Sequence, residues 1–309
     1  MRFVKYVLTI ATSFLVFGSA YCQLEPFQDE ASMETPNFQK DIIKSKRISQ
    51  ITIHDFCKPD GAGINDDGII HQYFFDTAGK IIESLYTVKV NSESWDTVKC
   101  RYCYDSNCNM TIKRTQMGDF YDSWYYRWNK ENLLQREYHV HETSTVSADG
   151  SFKISTQKII STDSFAYVTY PKQLQQYAYN EDNKIFQKTI TQYDDNKRFM
   201  GRSSHYAVGW LYSQVDIKYD STGRVIGYVN TGNLNGDLNQ NTTIKYDSTG
   251  KIQEKGIWVD GKQTQHIEFM YDNETGLITN KLDRDKNLIS IFRFTYEMYS
   301  NNGYPTATK

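Results

Sequence analysis

Neither sign of charge is in excess in this chain. Its 309 residues include 35 Lys and Arg against 37 Asp and Glu, giving a net charge of −2. Charges of both signs are mixed along the sequence and do not gather in blocks. A nucleic-acid partner calls for a basic face, so we expect none. Mixed charge of this kind is typical of the solvated surface of a sheet.

The sequence also lacks the usual signatures of catalysis and cofactor binding. It contains no glycine-rich phosphate loop, no nucleophile elbow and no Cys/His pairing of a catalytic kind. We therefore predict a protein without a cofactor and without enzymatic activity.

One constellation could carry chemistry. In Glu137-Tyr138-His139-Val140-His141, the carboxylate and both imidazoles share one face if the segment is a strand, and could meet one metal ion. The alternative is a polar stripe that faces solvent. We assign no metal ligands, and keep a metal-dependent enzyme centred on Glu137, His139 and His141 as an alternative.

Long apolar segments are absent except at the N-terminus. Two basic residues precede an apolar stretch at 6–17 and a small-residue exit, which predicts a signal peptide over 1–22 with cleavage after Ala20 or Cys22. The stretch is too short to span a bilayer. Lipidation of Cys22 is an alternative, although the bulky Tyr21 fits a lipobox poorly. The mature chain is expected to be secreted, periplasmic or on the cell surface.

Four cysteines remain after cleavage. In an oxidising compartment an even number indicates disulfide bonds, and four cysteines allow three connectivities. One bridge is expected near the turn at 105–108, and a zinc site with four thiolates is the alternative. The disulfide candidates are Cys57, Cys100, Cys103 and Cys108.

Proline is scarce, with 5 residues, whereas the chain holds 24 Tyr, 16 Phe and 5 Trp. Aromatic residues in this excess favour pleated, half-buried surfaces over helices. Exposed columns of Tyr and Trp would suit the stacking of sugar rings, but a place in the core is the favoured interpretation. Trp95 and Trp210 each stand nine residues ahead of a Tyr-Asp pair, which predicts that they cap the same apolar column.

The remaining pattern is a repeat. Tyr219-Asp220-Ser-Thr-Gly223-Arg-Val and Tyr246-Asp247-Ser-Thr-Gly250-Lys-Ile are its clearest copies. An Asp followed three residues later by Gly or Asn predicts a tight hairpin turn, because Asp accepts hydrogen bonds from the turn backbone and Gly or Asn tolerates the left-handed conformation. Weaker copies begin at Phe75, Tyr104, Trp128, Tyr179, Tyr193 and Tyr271. The predicted turn residues are Asp76, Gly79, Asp220, Gly223, Asp247, Gly250, Asp272 and Gly276.

Residues that lead into these turns alternate between apolar and polar, as half-buried strands do. Ile267, Phe269 and Tyr271, for example, face away from Glu268. About eight units of two strands predict an all-β antiparallel meander of about 16 strands, in a curled sheet or barrel that limits exposed edges. We predict a flexible leader at 23–45, the repeat domain at 46–297 and a loose tail at 298–309.

These Tyr-Asp and Gly positions resemble the YD repeats of bacterial Rhs and related cell-surface proteins. The layout of a signal peptide followed only by such units is also similar to small exported Bacteroidetes proteins of unknown function with a porin-like fold. The resemblance covers about residues 46–297. It implies a surface or ligand-contact role and supplies no catalytic residue, since the repeat has none. Rhs shells are far longer and end in a toxin domain, and this sequence departs from the family's pattern on both counts.

We therefore expect an exported, non-enzymatic β-repeat protein that acts by surface binding or as a scaffold, with an envelope glycan or a protein as partner. The alternative is an outer-membrane β-barrel, favoured by strand length and aromatic content. Charged residues in the middle of strands, as in 184–192, argue against that alternative, because lipid-facing positions exclude charge.

Overall fold

The computed structural model describes residues 38–89, 95–118, 120–146, 152–234, 238–300 and 305–307. The predicted signal peptide and most of the predicted leader lie outside this part of the chain. The fold is an antiparallel β-meander preceded by one short helix. Its elements are α1 (Lys40–Ser45), β1 (Ile48–Pro59), β2 (Asn65–Phe75), β3 (Ile81–Lys89), β4 (Trp95–Tyr104), β5 (Met110–Met117), β6 (Phe120–Trp128), β7 (Leu134–Val146), β8 (Phe152–Tyr170), β9 (Gln173–Tyr179), β10 (Ile185–Tyr193), β11 (Phe199–Tyr206), β12 (Tyr212–Tyr219), β13 (Val225–Gly232), β14 (Leu238–Tyr246), β15 (Ile252–Val259), β16 (Lys262–Tyr271), β17 (Ile278–Asp285), β18 (Leu288–Tyr299) and β19 (Pro305–Ala307).

Eighteen of these strands close into a barrel. Each strand from β1 to β18 pairs with its neighbours in sequence, and β1 also pairs with β18, which removes the open edges of a meander. The predicted all-β class and barrel-like closure are confirmed, and the predicted number of about 16 strands is two too low. The missing pair is explained by β8, which turns into β9 through residues 171–172 without a copy of the repeat motif.

The strand β8 is the longest in the chain, with 19 residues. Its first part, up to Ser164, pairs with β7, and its last part, from Ser164 to Tyr170, pairs with β9. The strands on its two sides are therefore displaced along the barrel axis. Two β-bulges interrupt the β7–β8 ladder, as is common at such irregular positions.

The end of the predicted leader is ordered. Helix α1 buries Ile43 completely, and Phe38 just before it packs edge-to-face on Tyr73 and Phe75. The helix lies so close to the β2–β3 turn that a Cβ on Gly79 would stand 2.5 Å from the Lys40 oxygen. Within the described residues, no helix has the length and apolarity needed to cross a membrane.

The two faces of the sheet differ in composition. We call the inner face the one that carries the hydrophobic core, and the outer face the opposite one. Core residues of the inner face come from α1, β1, β2 and β14–β18, on both sides of the closing β1–β18 pair. They include Ile43, Ile51, Ile53, Tyr73, Phe75, Ile244, Ile252, Phe269, Ile278 and Phe294. The predicted alternation of Ile267 and Phe269 against Glu268 follows this division.

Copies of the repeat motif form turns of the same geometry along the chain. In the turn at Asp220, the Oδ1 atom accepts hydrogen bonds from the backbone N–H groups of Thr222 and Arg224 at 2.8 and 2.9 Å, and Gly223 has φ +86°. Asp76, Asp194 and Asp247 accept equivalent pairs of bonds. The left-handed position is taken by Gly79, Cys108, Asn132, Asn183, Lys197, Gly223, Gly250 and Gly276.

Successive units are joined by side chains. In the units anchored at Tyr219, Tyr246 and Tyr271, the anchor hydroxyl donates a hydrogen bond to a main-chain oxygen just beyond the preceding turn, as in Tyr246 to Val225 at 2.6 Å and Tyr271 to Ile252 at 2.7 Å. The base of that preceding turn lies over the same ring, with Arg224 Cζ 4.9 Å from the Tyr246 centroid. These three units are therefore each clamped to the preceding one by a hydroxyl and a cation–π contact.

Two sequence interpretations need correction. The copy at Tyr179 follows β9, an odd-numbered strand, so its turn lies at the opposite end of the barrel from the turns that follow β2, β4, β6, β10, β12, β14 and β16. Trp210 does not cap an apolar column. It has φ +55° in the β11–β12 loop and is 94% exposed, and the side chain of Trp95 lies outside the described residues.

Candidate functional site

The histidine segment lies on the inner face of β7. Backbone register places the following residues side by side across seven strands, from the core to the histidines: Ile51, Tyr73, Ser84, Cys100, Thr115, Asp122 and His141. His139 and Glu137 share that face by strand alternation. The predicted polar stripe therefore points into the barrel.

The two imidazoles converge on an aspartate of the neighbouring strand. His139 Nε2 lies 2.5 Å from Asp122 Oδ1, and His141 Nε2 lies 3.4 Å from the same oxygen. The His139 ring stacks on Trp124 with centroids 4.3 Å apart and planes 1° from parallel. Phe120 lies beside His141, with centroids 4.9 Å apart. The result is a half-exposed patch of flat rings around one carboxylate.

Glu137 does not complete a metal site with these histidines. It is paired in register with Asp163 of β8. Burial, together with the charge of Asp163, raises the pKa of Glu137 to about 7. Among the described residues, no group of three or more His, Cys, Asp or Glu side chains is arranged to hold a metal ion.

A second polar patch lies on the inner face beside the core. We call it the lysine patch: Asp55 on β1, His71 on β2, and Lys281 and Asp283 on β17. His71 Nε2 lies 3.4 Å from Asp55 Oδ2, and Lys281 Nζ stands 3.7 Å from the centroid of the Phe292 ring. Burial lowers the pKa of Lys281 and raises that of Asp283.

Sequence reasoning missed the lysine patch, although a signal was present. Asp55 follows Ile51 and Ile53 at alternate positions, so the alternation itself places a carboxylate on the core face. Lys281 and Asp283 likewise occupy inner positions of β17, opposite Phe269 and Ile267. A charged residue at a position where strand alternation predicts a buried side chain indicates a functional or strained site.

The four cysteines are free in the structure. The disulfide bonds expected from export are therefore not formed. Cys100 is buried on the inner face, and Cys103, three residues later on the same strand, is exposed. Cys108 takes the left-handed position of its turn and lies 3.7 Å from Lys40 Nζ. Cys57 is on β1, and a hydrogen bond with Asp67 together with burial raises the pKa of its thiol.

The outer face carries ion pairs across adjacent strands. On β14–β17 a continuous ladder runs from Lys245 to Glu254 at 2.7 Å, to His266 at 3.5 Å, to Glu268 at 3.6 Å and to Arg284 at 3.3 Å. We call these five residues the outer ladder. On β3–β4, Glu83 lies between Lys99 and Arg101 at 2.7 and 3.1 Å. Charge thus faces outward on two separate sectors of the barrel.

A third group on the outer face surrounds one buried carboxylate. Glu142 is fully buried and accepts hydrogen bonds from Arg114 at 2.7 Å, Ser123 at 2.6 Å and Gln157 at 2.7 Å, and also from the hydroxyl of Tyr125. Burial opposes its ionisation, but these donors outweigh burial and lower the pKa of Glu142. A carboxylate with both oxygens hydrogen-bonded to residues of β5, β6 and β8 holds β5–β8 together.

Comparisons with known proteins found similarity to solved structures only. No protein-family model and no curated protein matches the chain. A porin-like protein from Bacteroides uniformis is similar, with a TM-score of 0.39 and 10% identity over 81% of this chain and 98% of that one. A porin-like protein from Bacteroides vulgatus has a TM-score of 0.29 and 10% identity over 68% and 96%. The Photorhabdus luminescens Tc holotoxin pore has a TM-score of 0.22 and 11% identity, covering 70% of this chain and 14% of that one.

Proposed function

We propose that the protein is an exported, non-enzymatic β-repeat barrel whose outer face stays in water and which acts by binding through its inner face. The proposal keeps the resemblance of the units to YD repeats. Support for that resemblance comes from the shared turn geometry and from the tyrosine and basic side chains that join one unit to the next.

The observation that carries the proposal is the outer ladder. Its five charged or ionisable side chains cover four neighbouring strands and are 29–70% exposed. On a lipid-facing strand a basic residue near the middle of the bilayer costs about 2–4 kcal/mol. The two bases of the ladder, with Lys99 and Arg101 on another sector, therefore favour an outer face in water over an outer-membrane barrel.

The inner face supplies groups suited to binding. Phe120, Trp124 and His139 present flat rings beside Asp122, and the lysine patch adds further donors and acceptors. Flat amphipathic rings next to a few fixed polar groups are typical of ligand sites.

Fractionation of the native host tests the proposal. We expect the chain in the soluble periplasmic or secreted fraction, with a mature N-terminus after Ala20 or Cys22, and without heat-modifiable migration on gels. Recovery in the outer membrane with extraction only by detergent, and a heat-dependent shift in migration, would show that the outer face contacts lipid and would overturn the proposal.

A further inference from the structure

We propose that the lysine patch of the inner face is a binding site for a neutral saccharide. This inference rests on the proposed function, because it names the ligand class of the inner face. It is argued from the unsatisfied polar atoms of the patch, from its balance of charge and from the aromatic rings that border it.

Two carboxylate oxygens of the lysine patch lack a hydrogen-bond partner within the part of the chain that the structure describes. Asp55 Oδ1 and Asp283 Oδ1 are buried and accept no hydrogen bond from any described residue. The Lys281 amine stands over the Phe292 ring, and within the described residues it has no carboxylate within ion-pair distance. A buried acceptor that makes no hydrogen bond is unfavourable unless a ligand or water supplies the donor. Two such oxygens, together with an amine held over an aromatic ring, indicate a ligand that brings donors to the carboxylates and an acceptor to the amine.

Register brings these groups together. Across β16, β17, β18 and β1, one row of the inner face reads Phe269, Lys281, Phe292 and Asp55. The adjoining row places Asp283 between Ile267 and Ser290. Because paired residues share a face, the two orphan oxygens and the amine border one area about two rows high.

Charge balance then restricts the ligand. Two aspartates oppose an anionic ligand, and Lys281 opposes a cation. His71 Nε2 lies 3.4 Å from Asp55, and Lys281 and Asp285 act electrostatically on Asp283. Tyr73 and Tyr86 border the patch, and burial together with Asp55 raises the pKa of Tyr73. The patch therefore suits a neutral molecule that is rich in hydrogen-bonding groups.

A saccharide suits the carboxylates, the amine and the aromatic rings of the patch. A sugar hydroxyl donates to a carboxylate and accepts from an ammonium, and the apolar face of a pyranose packs on aromatic rings. Phe292 lies in the patch, and Tyr86 stacks on His71 with centroids 6.4 Å apart. The chemistry of a neutral saccharide thus matches the orphan acceptors, the amine and the rings together.

Calorimetric titration of the purified mature chain tests the inference. The probes are three neutral oligosaccharides (maltohexaose, cellohexaose and triacetylchitotriose) with trigalacturonic acid and chitotriose as anionic and cationic counterparts. We expect at least one neutral probe to bind and the charged counterparts to bind at least 10-fold more weakly. Asp55→Asn and Asp283→Asn should each weaken binding about 10-fold, and Lys281→Met likewise.

Glu254→Gln on the outer ladder is the matched control and should bind as the wild type does. Circular dichroism identifies any variant that fails to fold, and the remaining two variants then decide. The inference is overturned if no neutral probe binds, if a charged probe binds best, or if binding is unchanged in the folded variants. Such a result leaves a soluble barrel intact, so it is distinct from the membrane recovery that would overturn the proposed function.

Discussion

The hydroxyl of Tyr246 donates a 2.6 Å hydrogen bond to the main-chain oxygen of Val225, the first residue of the preceding unit's return strand. The same relationship joins Tyr219 to Phe199, Tyr271 to Ile252 and Tyr296 to Ile278. It fixes one unit against the next at a point where no ladder hydrogen bond exists.

Removal of this hydroxyl should weaken the barrel measurably. Tyr246→Phe deletes the donor, keeps the ring beneath Arg224, and leaves a carbonyl without its partner. We expect a loss of about 1 kcal/mol in the free energy of unfolding, measured by urea denaturation. Tyr170→Phe, at a tyrosine that is 49% exposed, is the control and should change stability by less than about 0.5 kcal/mol. Equal effects of the two variants would contradict a clamping role for Tyr246.

The turn aspartates should make stability sensitive to acid. A hydrogen bond from Thr222, with those from Arg224, lowers the pKa of Asp220. A group whose pKa is lowered by folding stabilises the protein above its unfolded value, about 3.9 for Asp, and that contribution is lost as the pH falls through the folded value. Asp220→Asn should therefore lose less stability than the wild type between pH 5 and pH 2, as followed by urea midpoints.

The asparagine variant is well matched, because Asn129 and Asn180 occupy the equivalent position in natural copies of the turn. Asn129 Oδ1 accepts the same pair of backbone N–H groups, at 3.0 and 2.9 Å. A parallel acid profile in wild type and variant would mean that Asp220 does not contribute to the acid response.

Glu137 should give the opposite pH dependence. Burial and Asp163 raise its pKa to about 7, above an unfolded value of about 4.3. Because folding then favours the protonated form, this residue makes the barrel less stable as the pH rises from about 4.5 to 7. Glu137→Gln should remove that loss and stabilise the protein at pH 8 by about 1 kcal/mol, after allowance for solvent screening of a half-buried group.

Thermal unfolding at pH 5 and pH 8 measures the effect. The variant and the wild type should have similar midpoints at pH 5 and diverge at pH 8. A constant difference across this range would show that Glu137 does not titrate as its surroundings indicate.

Neutralising the buried carboxylate of Glu142 on the outer face should lower the free energy of unfolding. Glu142→Gln replaces an acceptor of four hydrogen bonds with a group that is itself half donor, and it leaves Arg114, 17% exposed, without its counter-charge. We expect a loss of about 2 kcal/mol, measured by chemical denaturation. Glu254→Gln, in the more exposed outer ladder, should cost less than about 1 kcal/mol. A cost at Glu142 no larger than at Glu254 would contradict a supporting role for this group.

Local features of this fold were predictable, because they depend on residues close in sequence. The turn at Asp220 needs only an acceptor at its first position and Gly223 three residues later, and the alternation of Ile267 and Phe269 assigns their face directly. The number of strands was harder to predict, because the connection from β8 to β9 uses residues 171–172 and carries no copy of the motif.

Contacts between distant strands were not predictable from the pattern. Glu137, His139 and His141 share a face as expected, but Asp122, which contacts both imidazoles, comes from the neighbouring strand through a register that no single segment encodes. Asp55 and Lys281 lie in one row, on either side of Phe292, only because β1 closes on β18. The expected disulfide bonds depended on the same unknown register, and Cys100 and Cys103 fall on opposite faces.

The clamp between adjoining units has a consequence for how such barrels vary in size. At Tyr219, Tyr246 and Tyr271 the anchor ring and hydroxyl contact the turn base and the return strand of the unit before it, so these three joints have the same form. A whole hairpin inserted at such a joint would widen the circumference and still leave the first and last strands antiparallel for closure. The circumference of such a barrel is therefore set by the number of hairpins in the chain.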